Sequence, residues 1–264
     1  MIIPTRNRPE LLAEAIASVR AQTVDHVEIV VVDDGSDPPA AVDGRVVVLR
    51  HDTSRGPAAS RNAGVRAARG RAVAFLDDDD LWLPSRLELA RRALLRAPIA
   101  VCWSRYVDEA PSVPGRGRML EGDVSRCIRE DMTPNPGQTA VRRDAWLEFD
   151  ETLPASADVD WWIRVTRQHQ VATEPEVGLL YRRHAGWRAT GLGKRSRVDA
   201  SLRLLETHAD YFAANRRAAA FHWFRIGLLA LPAADRPLAR RALWRSLRTR
   251  PRARTAYHLV RSLL

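Results

Sequence analysis

Lysine is nearly absent from this chain. Lys194 is the single lysine among 42 cationic residues, and the rest are arginine. Against 32 acidic residues this leaves a net charge of +10. Such a charge suits nucleic acid, an anionic membrane or a phosphorylated substrate. One-sided arginine usage beside abundant alanine reads as a biased genome composition, and no DNA- or RNA-binding motif occurs. Nucleic acid is therefore not expected as a partner. Cysteine is scarce too. Cys102 and Cys127 make no CxxC or metal spacing, and a reducing cytoplasm is the default. No apolar run approaches the ~20 residues of a membrane span. Met1-Ile2-Ile3 meets Pro4 at once, which is not the pattern of a signal peptide.

What is present is a set of short apolar runs that end in carboxylates. Ala72 to Leu76 has the length of a buried strand and stops at four aspartates, Asp77 to Asp80. Adjacent carboxylates repel, so the cluster calls for a cation. Oxygen ligands favour a hard divalent ion, Mg²⁺ or Mn²⁺. The plainer alternative is an acidic loop in which Asp80 caps a helix over Leu81–Arg96. A second carboxylate pair, Asp33-Asp34, ends an earlier strand over Glu28–Val32 and favours the cation.

The 264 residues are enough for one large α/β domain or for one domain with an appendage, and the 45% hydrophobic content supports a sizeable core. Met1–Ile3 reads as the end of a strand whose start is missing. A helix follows from Pro9, with Leu11, Leu12, Ala15, Ile16 and Val19 as its apolar stripe. Further strands are expected at Val46–Leu49, Ile99–Trp103, Gln138–Val141 and Val177–Tyr181. Helices are expected at Gly56–Ala68, Pro84–Arg96 and Val159–Gln168. This alternation predicts an α/β fold with a mixed, mostly parallel sheet flanked by helices. Ligands of such sheets bind beyond the carboxyl ends of the strands, so both acidic clusters can face one cleft. Beyond about Arg195 the pattern is helical throughout. Leu202, Leu205, His208 and Phe212 share one face. Leu238 and Ala242 share another, with Trp244 or Arg245. The expected division is 1–194, made of halves 1–103 and 104–194, and an all-helical extension, 195–264.

Four motifs occur in order. They are Ile3-Pro4-Thr5-Arg6-Asn7-Arg8, Val31-Val32-Asp33-Asp34-Gly35-Ser36, Arg55 to Gly64 with Arg61-Asn62 inside it, and Phe75-Leu76-Asp77-Asp78-Asp79-Asp80. This series closely resembles the family 2 glycosyltransferases of the GT-A fold over residues 1 to about 190, most densely in the first 100. By that resemblance Pro4, Thr5 and Arg6 flank a nucleotide. Asp34 contacts its base, Asp33 supports the loop, and Arg61 lies near the nucleotide or its phosphates. Asp77-Asp78-Asp79 takes the place of the family's Asp-X-Asp motif. Asp79 is then the direct metal ligand, with Asp77 or Asp78 near the ribose and the metal. Ala157-Asp158-Val159-Asp160 resembles the second acidic motif, with Ala157 departing from the usual acid. Asp158 falls on the catalytic base, and Asp160 assists it or pairs with Arg164. His184 stands where relatives often carry a histidine near the diphosphate or metal.

The resemblance implies a metal-dependent, inverting glycosyltransferase that uses a nucleotide sugar, with UDP as the expected nucleotide. The acceptor would be a glycan or a lipid-linked glycan in cell-surface polysaccharide or glycolipid synthesis. A nucleotidyltransferase would want a Gly-rich loop after the first strand, and Pro4 to Pro9 contains no glycine. A non-catalytic nucleotide-sugar or membrane-surface binding module is the alternative from another class. The basic tail, with Arg216-Arg217, Arg240-Arg241 and Arg248 to Arg254 beside Trp223 and Trp244, is compatible with peripheral contact to the inner face of the cell membrane. The plainer reading of the tail is a helical cap that packs on the sheet domain or forms a homodimer contact.

Overall fold

A computed structural model describes residues 1–126, 133–183, 193–231 and 235–262. Contacts divide the chain into two units. The first comprises Met1–Val124, Pro134–Glu151 and Arg164–Gly186; the second comprises Ser125–Thr133, Thr152–Ile163 and Trp187–Leu264. A boundary placed at residue 194 differs from this division, which groups Thr152–Ile163 with the helical tail.

In the first unit β1 (Ile2–Thr5), β2 (Val30–Asp33) and β3 (Val47–Arg50) form a parallel sheet in that order. Ile2 and Ile3 open β1 and Val30 to Val32 make up most of β2, and both strands are buried along their length, as strands covered on two faces must be. At the edge, β3 leaves Val47 and Val48 exposed. The short first strand is extended at its far end, to Thr5, and the Met1 amino group donates to Glu28 O at 2.8 Å. A parallel bridge from Ile2 to Phe75 and a 3.1 Å bond from Leu76 N to Ile2 O join this sheet to β4 (Ala72–Ala74).

The second sheet also contains β5 (Leu81–Trp82), β6 (Ile99–Tyr106), β7 (Thr139–Arg142) and β8 (Val171–Tyr181), in the order β4-β7-β6-β8-β5. Within it β6 and β8 run parallel and the other pairs antiparallel. Both β6 and β8 exceed their expected lengths. Their register slips, with Glu174 opposite Cys102 and Val177 opposite Trp103. Pro175 and Glu176 are skipped, so the proline, which has no N–H to donate, sits at the bulge rather than ending the strand.

Among the described residues, three α-helices lie wholly within the unit: α1 (Pro9–Arg20), α2 (Pro57–Ala67) and α3 (Arg86–Leu94). Proline in the first turn starts α1 and α2, where its missing N–H costs no bond. A Cβ at Gly64 would stand 2.4 Å from Ile2 Cγ2, so glycine lets α2 lie directly on β1. The helix expected from Pro84 begins instead at Arg86, because Leu81 and Trp82 pair with Leu180 and Leu179. Asp80 therefore caps no helix. Its backbone N–H bonds Asp77 O at 3.1 Å, closing a turn between β4 and β5.

The second unit holds most of α4 (Ala157–Thr166), together with α5 (Lys194–Thr207), α6 (Ala209–Ala214), α7 (Arg216–Ala230), α8 (Arg236–Thr249) and α9 (Ala253–Arg261). Trp161 and Trp162 are core residues, packed edge to face at 5.4 Å. Leu204, Leu205, His208 and Phe212 are buried, and Leu202 is only half-buried. The buried face of α8 is Ala239, Ala242, Leu243 and Ser246, one position round from the expected face, so Trp244 is exposed. Leu243 packs on Gly227, and Ser246 Oγ donates to Ala220 O at 2.7 Å. No described helix is long and apolar enough to cross a membrane.

Candidate active site

The parallel register sets the site. Thr5 pairs with Asp33, so the β1–α1 loop and the Asp33-Asp34 turn leave the sheet side by side. Asp34 N donates to Thr5 O at 2.9 Å. The bridge between Ile2 and Phe75 brings the end of β4 and its four aspartates to the same edge of the sheet.

Asp33 and Asp34 are both buried and held by several hydrogen bonds each. Asp33 accepts from Ser36 N at 2.8 Å, Ala40 N at 3.0 Å and Arg50 Nη1 at 2.5 Å. Burial opposes its charge, but these bonds hold its pKa below the usual carboxylate value. Asp34 Oδ1 meets His51 Nδ1 at 2.8 Å and accepts from Arg55 N at 2.8 Å. Its Oδ2 accepts from Ser54 Oγ at 2.7 Å and Gly56 N at 2.9 Å. Burial is again outweighed, and Asp34 is held at about 2. Gly35 makes the turn possible: its φ is +74°, and an added Cβ would meet Ser54 N at 2.9 Å.

The aspartate turn is held differently, by three arginines and one hydroxyl. Arg61 Nη2 bonds Asp77 Oδ1 at 2.5 Å. Thr5 Oγ1 donates to Asp78 Oδ2 at 2.8 Å. Arg8 Nη1 bridges Asp78 Oδ1 at 3.0 Å and Asp79 Oδ2 at 2.8 Å. Arg182 donates its backbone N–H to Asp80 Oδ1 at 3.0 Å and its Nε to Asp79 O at 3.0 Å. Burial pushes Asp78 up to about 6, against the Thr5 bond and the Arg8 charge. Burial and then the charge of Asp77 push Asp80 to about 8.

Among the described residues, one oxygen each of Asp77, Asp79 and Asp80 lie within 4.8 Å of one another. Asp80 is buried, and its Oδ2 has no hydrogen-bond partner. A buried carboxylate with an unpartnered oxygen, grouped with two other carboxylates, is a set of hard donors that fits a small divalent cation. Asp77 and Asp79 were expected as ligands. Asp80 is an addition to the candidate set, and its likeness to a helix cap concealed it. Arg8 was missed as an individual residue although it closes the first motif. Only the folded arrangement sets it on Asp78 and Asp79.

Pro4 lies buried within β1, while Arg6 is exposed in the loop that follows. Asp158 and Asp160 stand in the first turn of α4 and belong to the second unit. Asp158 is half-buried. Asp160 is buried, and its Oδ1 lies 2.8 Å from Nε2 of the buried His208 at the α5–α6 junction. Arg164, the other partner considered for Asp160, donates to Glu148 O at 2.7 Å. His184 lies outside the described residues.

The model of the family described as "Glycosyl transferase family 2" matches residues 1–148. An uncharacterized glycosyltransferase of Methanocaldococcus jannaschii is 30% identical over 202 residues, which are 69% of this chain and 69% of the relative. Among solved structures, Staphylococcus aureus TarS aligns with a TM-score of 0.65 at 15% identity, over 98% of this chain and 82% of that chain. The same protein in complex with UDP-GlcNAc aligns at 0.60 and 14% identity, over 99% and 78%. A mannosyltransferase of Pyrobaculum calidifontis, in complex with GDP-Man and Mn²⁺, aligns at 0.59 and 18% identity, over 99% of this chain and 78% of that chain. At such identities the structures establish the GT-A-like fold, while the family model covers more than half of the sequence. The chain belongs to glycosyltransferase family 2 and is a transferase enzyme.

Proposed function

We propose that the enzyme transfers a sugar from a nucleoside diphosphate sugar, preferentially a UDP sugar, to a glycan or lipid-linked acceptor, with inversion and with Mn²⁺ or Mg²⁺ as cofactor. The observation that carries this reading is the carboxylate triad Asp77, Asp79 and Asp80 with the unpartnered Asp80 Oδ2. The complexes of TarS with UDP-GlcNAc and of the mannosyltransferase with GDP-Man and Mn²⁺ support the donor class and the metal for this fold.

When bound, the metal supplies Lewis-acid neutralisation of the charge that develops on the departing diphosphate. Asp77, Asp79 and Asp80 would hold it, with His184 as a further candidate ligand. Pro4, Thr5 and Arg6 would flank the nucleotide, and Asp78, fixed by Thr5, would face the ribose. Asp34 would reach the base from a turn that Asp33 keeps rigid. Arg61 would add charge-assisted hydrogen bonds to the phosphates. Asp158 would take the proton of the attacking acceptor hydroxyl, and Asp160 would steady the turn that carries Asp158. One displacement inverts the anomeric centre and needs no enzyme nucleophile.

Asp158→Asn tests the role division. Removal of a general base is expected to lower turnover by roughly 10²- to 10⁴-fold and to leave donor affinity unchanged. Loss of donor binding with unaltered turnover at saturation would contradict it.

A further inference from the structure

The charge of this chain is not evenly spread. Twelve of its 42 cationic residues and only two of its 32 acidic ones, Asp210 and Asp235, lie in residues 209–264, so this segment alone carries the whole net charge of +10. The 208 residues before it are electrically neutral. An enzyme that merely needed cations around a diphosphate would not place its surplus in a separate helical unit.

The surplus is arranged with apolar side chains. Arg241, Trp244, Arg245 and Arg248 recur at helical spacing along α8, and all four are exposed. The opposite face of α8 is fixed on α7 through Leu243 on Gly227 and Ser246 on Ala220, so this stripe cannot turn inward. Trp244 is 52% exposed. On α9, Tyr257 and Val260 are 57% and 58% exposed, between Arg254 and Arg261. The guanidinium of Arg245 lies 4.6 Å from the centre of the Trp223 ring, and that of Arg254 lies 5.4 Å from that of Phe224, neighbours on α7. The same helices line an open pocket of about 370 Å³, formed by Leu228, Leu231, Arg236, His258, Arg261 and Ser262. Its leucines are apolar, and its arginines suit a phosphate.

From these features we infer that α7–α9 dock on an anionic phospholipid surface. Arginine attracts the headgroups, and aromatic and aliphatic side chains between the arginines enter the interface. The pocket offers one phosphate diester both arginine and leucine side chains. A polynucleotide would match the charge but would leave Trp244, Tyr257 and Val260 without a role. The inference adds a partner to the transferase reading and rests on it only in that lipid-linked acceptors share such a surface. Binding is read without turnover, so either can fail alone.

The test is co-sedimentation of the full chain with phosphatidylcholine vesicles, with and without phosphatidylglycerol. Binding is expected only to the anionic vesicles and is expected to weaken with salt. Arg241→Gln and Arg248→Gln are expected to weaken it about fivefold each. Trp244→Ser is expected to weaken it about tenfold. Circular dichroism melts of these exposed-site variants should match the wild type. Equal binding to both vesicle types, or none by the wild type, overturns the inference. So does equally tight binding to duplex DNA with no effect of Trp244→Ser, which would mark a generic polyanion patch.

Discussion

Thr5 and Asp78, 73 residues apart in sequence, are joined by a 2.8 Å hydrogen bond from the Thr5 hydroxyl to a buried carboxylate oxygen. This bond ties the end of the first strand to the aspartate turn. Thr5→Val keeps the shape and removes the donor. It is expected to cost about 1–2 kcal/mol in urea unfolding and to raise the donor KM, and Thr5→Ser should restore both. A Thr5→Val protein with wild-type stability and KM would mean that the bond does not hold the turn.

Arg8 bridges Asp78 and Asp79. Arg8→Gln leaves those carboxylates facing one another, so the metal-free variant should melt several degrees below wild type. Mn²⁺ neutralises the same charges and is expected to restore most of the loss. Calorimetric scans with Mn²⁺ and with EDTA give both values.

Asp80 is raised to about 8, so near neutral pH it is protonated in the metal-free protein. A cation bound by its carboxylate must displace that proton. Mn²⁺ affinity is therefore expected to rise by up to about tenfold per pH unit between pH 6 and 8. Titration calorimetry in buffers of different ionisation enthalpy should show proton release, and Asp80→Asn should abolish it.

Asp34, held at about 2, behaves in the opposite sense. Its carboxylate stabilises the fold at any pH above the unfolded value near 4, and this contribution is lost as pH falls towards 2. Asp34→Asn should cost about 1–2 kcal/mol at pH 7 after allowance for solvent screening. The difference from wild type should shrink in urea titrations as pH falls below 4.

His208 is the buried partner of Asp160. His208→Ala should cost about 2–3 kcal/mol by stripping a buried carboxylate of that bond. If Asp160 steadies the turn that bears Asp158, kcat should fall more than donor affinity does, and the pH profile of kcat should shift. An unchanged profile in a folded variant would make the pair purely structural.

Much of the first unit was legible in the sequence because its signals are local. Val30-Val31-Val32 and Ala72-Val73-Ala74 are apolar runs bounded by carboxylates, and Pro9 and Pro57 start helices where their missing N–H costs nothing. The acidic motifs follow strands as expected: Asp33 ends β2, and Asp77-Asp78-Asp79 follow β4, which ends at Ala74 rather than Leu76, with Phe75 bridged to Ile2. What escaped depends on partners remote in sequence. Leu81-Trp82 is a strand only because Leu179 and Leu180 lie beside it. The strand expected from Val177 begins at Val171, because β8 passes Pro175 in a bulge set by its pairing with β6. Asp80 became a candidate ligand, rather than a cap, once the strand after it was known. Nothing near Asp160 in sequence announces His208, which lies in the tail beyond the family likeness.

The central claim is metal-dependent use of a nucleotide sugar through the aspartate turn. Its most direct test is nucleoside diphosphate release from a panel of UDP, GDP and dTDP sugars, with Mn²⁺ and with EDTA, for wild type and Asp79→Ala, paired with calorimetry of donor binding. Release from one donor, preferentially a UDP sugar, that needs Mn²⁺ and is lost in Asp79→Ala is the expected result. Release unaffected by EDTA and by Asp79→Ala, or no release together with no metal-dependent donor binding, would contradict the account.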